Sequence, residues 1–376
     1  MTALAVCFWV VLAAIVWTHA GYPLAVALVA RLRRRAVARG GELPSVAVVV
    51  AAHDEEPVIA RRLENLLALD YPRERLELVV ASDASTDATD AIVESFADRG
   101  VRLIRCPRGG KVAAQDRAVR ETAGEIVAFS DANATWAPDT LRKLVRSFAD
   151  PSVAYVCGRL VLQDAAGVNK EGLYWRFETW LRAQESRAGS ITGGNGAVYA
   201  LRRSDYVEVD PRFGHDLALP YLMVQRGRRA VYDHEALAFE KPTPDNETEY
   251  RRKVRMFEHC WAIVLRGRML RGLPPGYWVS IVSHRHLRYG SGLLHAALLG
   301  LNVALVALRG GAVYDALLAA QVLFLGAALA GRLRLRVPGA AVAEYYTLVT
   351  WATLRALVGY LSSGVPATWE AAEGTR

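Results

Sequence analysis

Two acidic residues stand where their side chains could do chemistry together. Asp83 and Asp131 each follow a short run rich in β-branched residues. Carboxylates at the strand ends of one α/β sheet converge on the same crevice. Two neighbouring carboxylates attract a divalent cation, and Mg2+ or Mn2+ held by few protein oxygens usually carries a diphosphate. The pattern therefore indicates a site for a metal ion and a phosphate-containing ligand.

A basic residue, Lys111, stands between the first two aspartates in Arg108-Gly-Gly-Lys111. We expect a flexible, glycine-containing loop there, in which a lysine can contact phosphate as a point charge. Taken alone, each of these residues is structural more often than not. Asp87, for example, is a suitable cap for the helix that follows it. Their number and their order favour a functional site.

The elements that must position these residues are short β-rich runs that alternate with amphipathic stretches. The runs are 46–51, 76–81, 101–105, 126–130 and 153–158, and the helical patterns include 58–69, 87–99 and 138–148. Strand and helix alternating at this spacing predict an α/β domain with a mostly parallel sheet. Polar clusters follow several of the strands directly, which is where such sheets bind ligands.

Apolar segments flank this domain. The chain has 376 residues, of which 52% are hydrophobic and 22% charged, and its mean hydropathy is +0.13. These values favour one soluble domain plus several membrane segments. The net charge of +8 could suggest nucleic-acid binding, but basic runs at 31–35 and 332–336 adjoin apolar stretches. That placement follows the positive-inside rule, so we expect no nucleic acid, an integral plasma-membrane protein and a cytoplasmic catalytic domain.

These patterns predict three regions. Residues 1–35 form an N-terminal transmembrane anchor, residues 36–271 a cytosolic catalytic domain, and residues 272–376 a second membrane region. Within the last region we expect an interfacial helix over 273–289, spans over 292–308 and 313–330, and a polar tail. The stretch 341–361 is apolar enough to span but contains Glu344 and Arg355. An interfacial or re-entrant helix is therefore favoured over a span.

The polar motifs also support a resemblance to a known family. In chain order they are Ala52-His-Asp-Glu-Glu56, Asp83-Ala-Ser-Thr-Asp87, Gly109-Gly-Lys111, Ser130-Asp-Ala-Asn133, Thr192-Gly-Gly-Asn-Gly-Ala197, Gly214-His-Asp216 and Arg251-Arg-Lys-Val-Arg255. The ordered set resembles glycosyltransferase family 2, inverting enzymes with the GT-A fold, a Rossmann-like nucleotide-sugar domain. It is most similar to the membrane-embedded branch that includes hyaluronan, chitin, cellulose and poly-N-acetylglucosamine synthases.

The resemblance implies a nucleotide-sugar site at the first strand ends. It implies that Ala52, His53 and Glu55 frame the nucleotide pocket. It also implies that Asp83 contacts the uracil or the ribose, and that Lys111 lies near the nucleotide.

The resemblance further implies a Mg2+ or Mn2+ site. Asp131 matches the first aspartate of the family's metal-binding Asp-x-Asp, and it also contacts the nucleotide sugar. Asn133 stands at the second position, which departs from the family. An amide oxygen can still ligate a hard cation, but it brings no charge.

Two later motifs imply the acceptor side. Gly194, Asn195 and Gly196 belong to the loop that faces the acceptor in this family. Asp216 matches the general base that removes the proton of the acceptor hydroxyl. The family usually has Glu-Asp here, and His215 stands at the glutamate position.

The basic motif near residue 255 departs from the processive synthases, which carry Gln-x-x-Arg-Trp. Here the chain reads Arg252-Lys-Val-Arg255-Met256. The resemblance implies that Arg252 contacts the nucleotide sugar and that Arg255 offsets charge on the departing diphosphate. The missing tryptophan puts processive polymerisation in doubt.

The sequence therefore predicts an inverting hexosyltransferase that moves sugar from a UDP-sugar to a glycan or lipid-linked acceptor. Polysaccharide synthesis is the favoured version, and the alternative is single-sugar transfer to a lipid or small acceptor. An alternative of another class is a membrane scaffold that binds nucleotide sugar without turnover. The retained Asp131, Asp216 and Arg255 argue against that scaffold. The sugar, the linkage and the oligomeric state are left open.

Overall fold

The computed structural model describes residues 1–163, 172–243 and 245–368. These residues form two compact units. One comprises Val26–Pro244, Leu265–Val279 and the stretch from Pro366, and we call it the catalytic unit. The other comprises Met1–Ala25, Asp245–Val264 and Ser280–Val365, and we call it the helical unit.

The catalytic unit is built on an eight-stranded sheet with the order β3-β2-β1-β4-β7-β6-β8-β5. The strands are β1 Val46–Ala52, β2 Leu76–Asp83, β3 Val101–Cys106, β4 Ile126–Asp131, β5 Thr135–Trp136, β6 Val153–Leu162, β7 Tyr199–Arg202 and β8 Arg229–Glu240. Strands β3, β2, β1 and β4 are parallel to one another. Strand β7 runs antiparallel to β4 and β6, β8 is parallel to β6, and β5 is antiparallel to β8.

Helices cover both faces of this sheet. They are α3 Glu56–Leu67, α4 Thr89–Glu94, α5 Lys111–Arg120, α6 Thr140–Val145, α7 Leu173–Ala188, α8 His215–Gln225 and the short α10 Pro275–Ile281. Val48 and Val50 of β1 face one apolar cluster, and Val49 faces the other. Because both faces are covered, the strand is a continuous apolar run and does not alternate with polar residues.

The predicted α/β class and the five predicted strands are confirmed, each within one to four residues at its end. One local prediction is wrong. Lys111 does not lie in a flexible loop but is the first residue of α5, after Gly110 at φ +89°. A glycine adopts this backbone conformation without the steric cost that a side chain would bring.

The helical unit is built from helices, most of them apolar. These are α1 Thr2–Val16, the first turn of α2 Tyr22–Leu32, most of the more polar α9 Asn246–Arg266, α11 Leu287–Tyr289, α12 Ser291–Ala307, α13 Ala312–Arg332 and α14 Ala340–Ser363. Single π-helical turns at Trp17–Gly21 and Val282–His286 interrupt two of the helical stretches.

Two helical stretches in the described part of the chain are long and apolar enough to cross a membrane, Thr2–Leu32 and Ala312–Arg332. A third is added if Pro275–Tyr289 and Ser291–Ala307, which meet at 66°, form one broken span. The predicted span over 292–308 therefore qualifies only together with the helix before it. The stretch predicted as 341–361 is one uninterrupted helix, α14. Whether α14 lies in the interface stays a prediction.

Candidate active site

The carboxyl ends of the parallel strands bring the predicted donor residues to one edge of the sheet. In register, Ala52 pairs with Ser82, and Ala51 pairs with Asp131. Asp83 pairs with Cys106 at the end of β3. Asp83 and Asp131 therefore end the two strands that flank β1, as the sequence predicts.

The Asp83 carboxylate organises the loop between β3 and α5. It is 2% exposed and accepts hydrogen bonds from the backbone N–H groups of Gly109 at 2.7 Å and Gly110 at 3.0 Å. The Arg108 guanidinium pairs with the same carboxylate. These contacts fix the turn from which Lys111 starts its helix. The proposed contact of Asp83 with uracil or ribose stays a prediction.

The segment after β1 is held against the segment after β2. His53 Nδ1 lies 2.8 Å from the Asp83 carbonyl oxygen, and the Glu55 N–H donates to Thr89 Oγ1 at 2.8 Å. Asp54 has a positive φ of 51°, and its carboxylate accepts from the Thr86 N–H at 2.6 Å. That hydrogen bond is the largest cause that lowers the pKa of Asp54. The residues after Ala52 thus form a rigid rim beside the Asp83 loop.

Lys111 and Asp131 form an ion pair at the centre of this edge. Burial lowers the pKa of the Lys111 ammonium, but the charges of Asp131, Asp216 and Glu240 outweigh it and the pKa is raised. The ammonium is therefore held in its charged form among three carboxylates. When a phosphate group enters the site, the ammonium can form an ion pair with its oxygen atoms.

Gly196 covers this ion pair from the side of the predicted acceptor loop. A Cβ atom at Gly196 would lie 2.9 Å from Lys111 Nζ and 3.3 Å from Asp131 Oδ2. A side chain there would push against the ammonium and the carboxylate. The glycine lets the backbone approach the charged centre closely.

The oxygen ligands available here suit a divalent cation whose remaining ligands would come from a diphosphate. Asp131 offers carboxylate oxygens, and Asn133, two residues later, offers an amide oxygen; both are hard donors suited to Mg2+ or Mn2+. No group of three or more His, Cys, Asp or Glu side chains suited to a metal occurs among the described residues. A cation held here would depend on ligand oxygens.

Buried side chains of α7 hold the Thr192–Ala197 loop. Glu185, 1% exposed, accepts from the Thr192 N–H at 3.0 Å and also from its hydroxyl. Arg182 donates to the carbonyl oxygens of Gly193 and Gly194, both at 3.1 Å. The loop is therefore fixed from behind by a buried cation and a buried anion.

The amide of Asn195 is held within the protein. Its Nδ2 donates to the Gly158 carbonyl oxygen at 2.8 Å, and its Oδ1 accepts from the Val198 N–H at 3.1 Å. It is 7% exposed. Both ends of the amide therefore help to hold the loop, and the contact of Gly194, Asn195 and Gly196 with an acceptor stays a prediction.

Asp216 stands in the first turn of α8, where the helix dipole stabilises a negative charge. The Gly194 N–H donates to the Asp216 carbonyl oxygen at 2.6 Å, which ties the loop to the start of the helix. Asp216 Oδ1 lies over Gly214, where a Cβ atom would be only 2.6 Å away. The carboxylate is close enough to the Lys111 ammonium to raise its pKa. The structure thus brings Asp131, Lys111 and Asp216 together.

Glu240, whose charge also acts on Lys111, was not predicted from the sequence. Thr135 pairs with Phe239 in the antiparallel β5–β8 ladder, so the next position of that register sets Glu240 beside Ala134, directly after the Asp131–Asn133 motif. No local motif marks Glu240, because only the sheet topology brings it there.

Arg62 was also not predicted, although its position in the helix pattern could have identified it. It lies on the apolar face of α3, with Ile59, Leu63 and Leu66, and is 1% exposed. Burial lowers its pKa to about 9, and this effect outweighs the negative charges of Asp131 and Glu240, which raise the pKa. An arginine at a core position of an amphipathic helix is rare unless it has a buried partner.

Arg252 and Arg255 belong to α9 in the helical unit. Arg252 donates to Glu249, with its Nε 3.0 Å from Oε2. Their roles toward the nucleotide sugar and the diphosphate stay predictions.

The fold and the strand-end residues define a class. A mostly parallel sheet that ends in acidic residues, continued by mixed strands that carry an acceptor-side loop, is the arrangement of GT-A nucleotide-sugar enzymes. Residues 47–209 match the sequence model of glycosyl transferase family 2. The chain therefore carries a family 2 glycosyltransferase domain, which confirms the resemblance drawn from the motifs.

Similar proteins agree with this assignment. A beta-monoglucosyldiacylglycerol synthase from Synechocystis sp. is 32% identical over 174 residues, or 44% of this chain and 36% of that protein. An N-acetylglucosaminyltransferase from Rhizobium meliloti is 30% identical over 256 residues, or 62% of this chain and 60% of that protein. The chain thus spans little more than a third of the first relative and under two thirds of the second.

A solved structure resembles nearly the whole chain. It is a mannosyltransferase from Pyrobaculum calidifontis in complex with GDP-Man and Mn2+, at 26% identity and a TM-score of 0.72. The similarity covers 94% of this chain and 99% of that one. The helices that flank the sheet are therefore included in the match.

Proposed function

We propose that this chain transfers a single sugar from a UDP-sugar to a lipid acceptor, with inversion, at the cytoplasmic face of the cell membrane. The observation that carries the proposal is the Lys111–Asp131 ion pair, which Gly196 covers and which lies close to Asp216. In the proposal, Lys111 is the phosphate-binding cation and Asp216 is the base of this family 2 domain.

The chemistry follows from the charges at this edge. Asp216 takes the proton of the acceptor hydroxyl as that oxygen attacks the anomeric carbon from the face opposite the diphosphate. Lys111 offsets the negative charge that grows on the departing diphosphate. Asp131 and Asn133 would hold a Mg2+ or Mn2+ ion, which would add to the same charge stabilisation.

Three observations support a lipid acceptor and single transfer. One relative is named a beta-monoglucosyldiacylglycerol synthase. The Arg252–Met256 motif lacks the tryptophan of the processive synthases. The described helices supply two or three candidate spans, which are few to enclose a growing polysaccharide.

The second candidate is polysaccharide or oligosaccharide synthesis. The similarity to an N-acetylglucosaminyltransferase over 62% of the chain favours it. Under this candidate the same site acts repeatedly on a glycan.

The test uses the full chain in nanodiscs that contain diacylglycerol. UDP-glucose, UDP-N-acetylglucosamine and GDP-mannose are supplied separately, with Mn2+ or with EDTA. We expect one sugar per lipid from a UDP-sugar, lower turnover in EDTA, and a β-linked product from the α-linked donor, read by mass spectrometry and NMR coupling. A product of high mass would favour the second candidate. An α-linked product would contradict inversion, and nucleotide binding without turnover would favour the scaffold.

The proposal also assigns a topology. A basic run, Arg31–Arg35, lies at the end of the apolar stretch Thr2–Leu32, and the positive-inside rule supports a cytoplasmic location for the catalytic unit. A protease added to sealed inverted vesicles should cleave the catalytic unit, whereas in right-side-out vesicles it should remain protected. The reverse pattern would overturn the assignment.

A further inference from the structure

A buried polar cluster lies directly behind the start of α8. His215 Nδ1 is 3.1 Å from the Tyr199 hydroxyl, and His215 Nε2 is 3.4 Å from Asp116 Oδ1. The Tyr206 hydroxyl donates to the same Asp116 oxygen. His215 is 3% exposed, Asp116 6% and Tyr199 0%. His215, Asp116 and Tyr199 are therefore buried together, and the partly buried Tyr206 adds its hydroxyl to the cluster.

The hydrogen bonds fix the imidazole at both ends. On one side of the ring, His215 Nε2 lies 3.4 Å from both the Tyr206 hydroxyl and Asp116 Oδ1, and the Tyr206 hydroxyl itself donates to Asp116. The Nδ1 atom on the far side of the ring then pairs with the Tyr199 hydroxyl. The aromatic rings of Phe129, Tyr199 and Tyr206 surround the imidazole in edge-to-face contact. These contacts restrict the rotation of the ring.

This orientation sets the position of the next residue. His215 and Asp216 are the first two residues of α8, and the Asp216 carbonyl oxygen accepts from the Gly194 N–H. The helix start is thus held on one side by the imidazole and on the other by the loop. A carboxylate that acts as a base must lie within a few tenths of an ångström of its working position.

The cluster also accounts for the departure from the family pattern at residue 215. A glutamate at this position would put a second carboxylate beside Asp116 in a buried pocket, and two such groups cannot both ionise. The imidazole, 3.4 Å from Asp116, brings no second carboxylate into the pocket and so avoids that conflict. The histidine and the aspartate therefore suit each other as a pair, although α5 and α8 are far apart in sequence.

We propose that His215, held by Asp116 and Tyr199, is a positioning residue that fixes the first turn of α8 and aims the Asp216 carboxylate. The inference rests on the proposed function, in which Asp216 is the base. It assigns His215 no contact with donor or acceptor.

The experiment is a double-mutant cycle in the full chain, with the donor and lipid acceptor of the transfer assay. His215→Glu should lower kcat by about 100-fold, within the range that a displaced general base costs, and Asp116→Asn by about tenfold. The double variant, which again has one carboxylate and a neutral partner, should recover at least about tenfold over His215→Glu, since coupled pairs are strongly non-additive. The KM for the donor should stay within about twofold throughout, because the donor residues are untouched.

The controls separate a folding defect from a positioning defect. His234→Gln changes an exposed histidine on β8 and should keep full activity. Melting temperatures and nucleotide binding are measured for every variant. If His215→Glu does not fold, Asp116→Asn alone decides, and a kcat within twofold of wild type overturns the proposal. A double variant no better than His215→Glu also overturns it.

Asp216→Asn belongs in the same series. If Asp216→Asn abolishes transfer while the His215 and Asp116 variants keep full activity, the positioning inference fails and the proposed base stands. If Asp216→Asn is fully active, the base assignment itself fails, and the positioning inference fails with it.

Discussion

The two halves of the sheet hold their functional residues in different ways. In the parallel half, β3-β2-β1-β4, backbone groups at strand ends do the holding: Asp83 receives two backbone N–H groups, and Asp131 follows directly from the β1–β4 register. In the mixed half, β7-β6-β8-β5, buried side chains do it, such as Arg182 and Glu185 behind the Thr192–Ala197 loop. The parallel half is therefore specified by topology, whereas the mixed half is specified by a few buried polar residues.

The largest loss of activity should come from replacing Asp216, the proposed base at the border of the two halves of the sheet. Asp216→Asn keeps the size and the helix position of the side chain but removes its ability to take a proton. We expect kcat to fall by about 1,000-fold, within the range for general bases, and donor affinity to stay unchanged. Turnover and nucleotide binding by calorimetry measure the two quantities. A variant with normal turnover would remove Asp216 from the mechanism.

A smaller effect should follow from Asp131→Ala in the parallel half. This variant removes the carboxylate that pairs with Lys111 and that would hold the cation. We expect Mn2+-dependent nucleotide binding to weaken by at least about 10- to 100-fold, the cost that loss of even an outer ligand partner has at metal sites. Calorimetry with UDP and Mn2+, against UDP in EDTA, measures it. Equal affinity in wild type and variant would count against this site.

The mixed half should respond in stability as well as in activity. Arg182→Met leaves the carbonyl oxygens of Gly193 and Gly194 without their donor. We expect a loss of about 1–3 kcal/mol of stability and weaker acceptor binding, with donor affinity kept. Arg176→Met, an exposed change on the same helix, is the matched control. Thermal unfolding and acceptor KM are measured, and a loss of donor affinity instead would contradict the division between the halves.

The smallest effect should appear at the rim of the parallel half. The Thr86 N–H lowers the pKa of Asp54 below its ordinary value of 3.8. A carboxyl with a lowered folded-state pKa stabilises the fold above its unfolded-state pKa, and this contribution is lost as the pH falls through the folded-state value. Asp54→Asn should therefore cost below about 0.5 kcal/mol at pH 7, and the difference should close as the pH drops below about 4.

The exposed Asp98→Asn serves as the control for this comparison. Chemical unfolding at several pH values measures both variants. A gap between wild type and Asp54→Asn that grew at low pH would show that the Thr86 contact does not stabilise the ionised carboxylate.

The same division explains what the sequence could predict. Apolar runs followed by acidic residues marked β1, β2 and β4 because burial on both faces leaves a local signal. Glu240 carried no such signal, since it reaches the site through the β5–β8 pairing of residues about 100 positions apart. Asn195 stood out in the sequence only as part of a motif, and the hydrogen bonds of its amide with the backbone of Gly158 and Val198 could not be predicted from it. Pairing between distant strands, and hydrogen bonds that satisfy buried polar groups, arise only in the folded chain.

The loop that carries Asp131 and Asn133 has a fixed length. It leaves β4 at Asp131, which pairs with Ala51, and enters β5 at Thr135, which pairs with Phe239. Three residues join two ladders on different parts of the sheet. One inserted residue would shift β5 by a position and turn Trp136, 1% exposed, away from the core. A substitution in this loop, such as Asn133, leaves the β5–β8 pairing in place, whereas we expect an insertion or a deletion to disturb it.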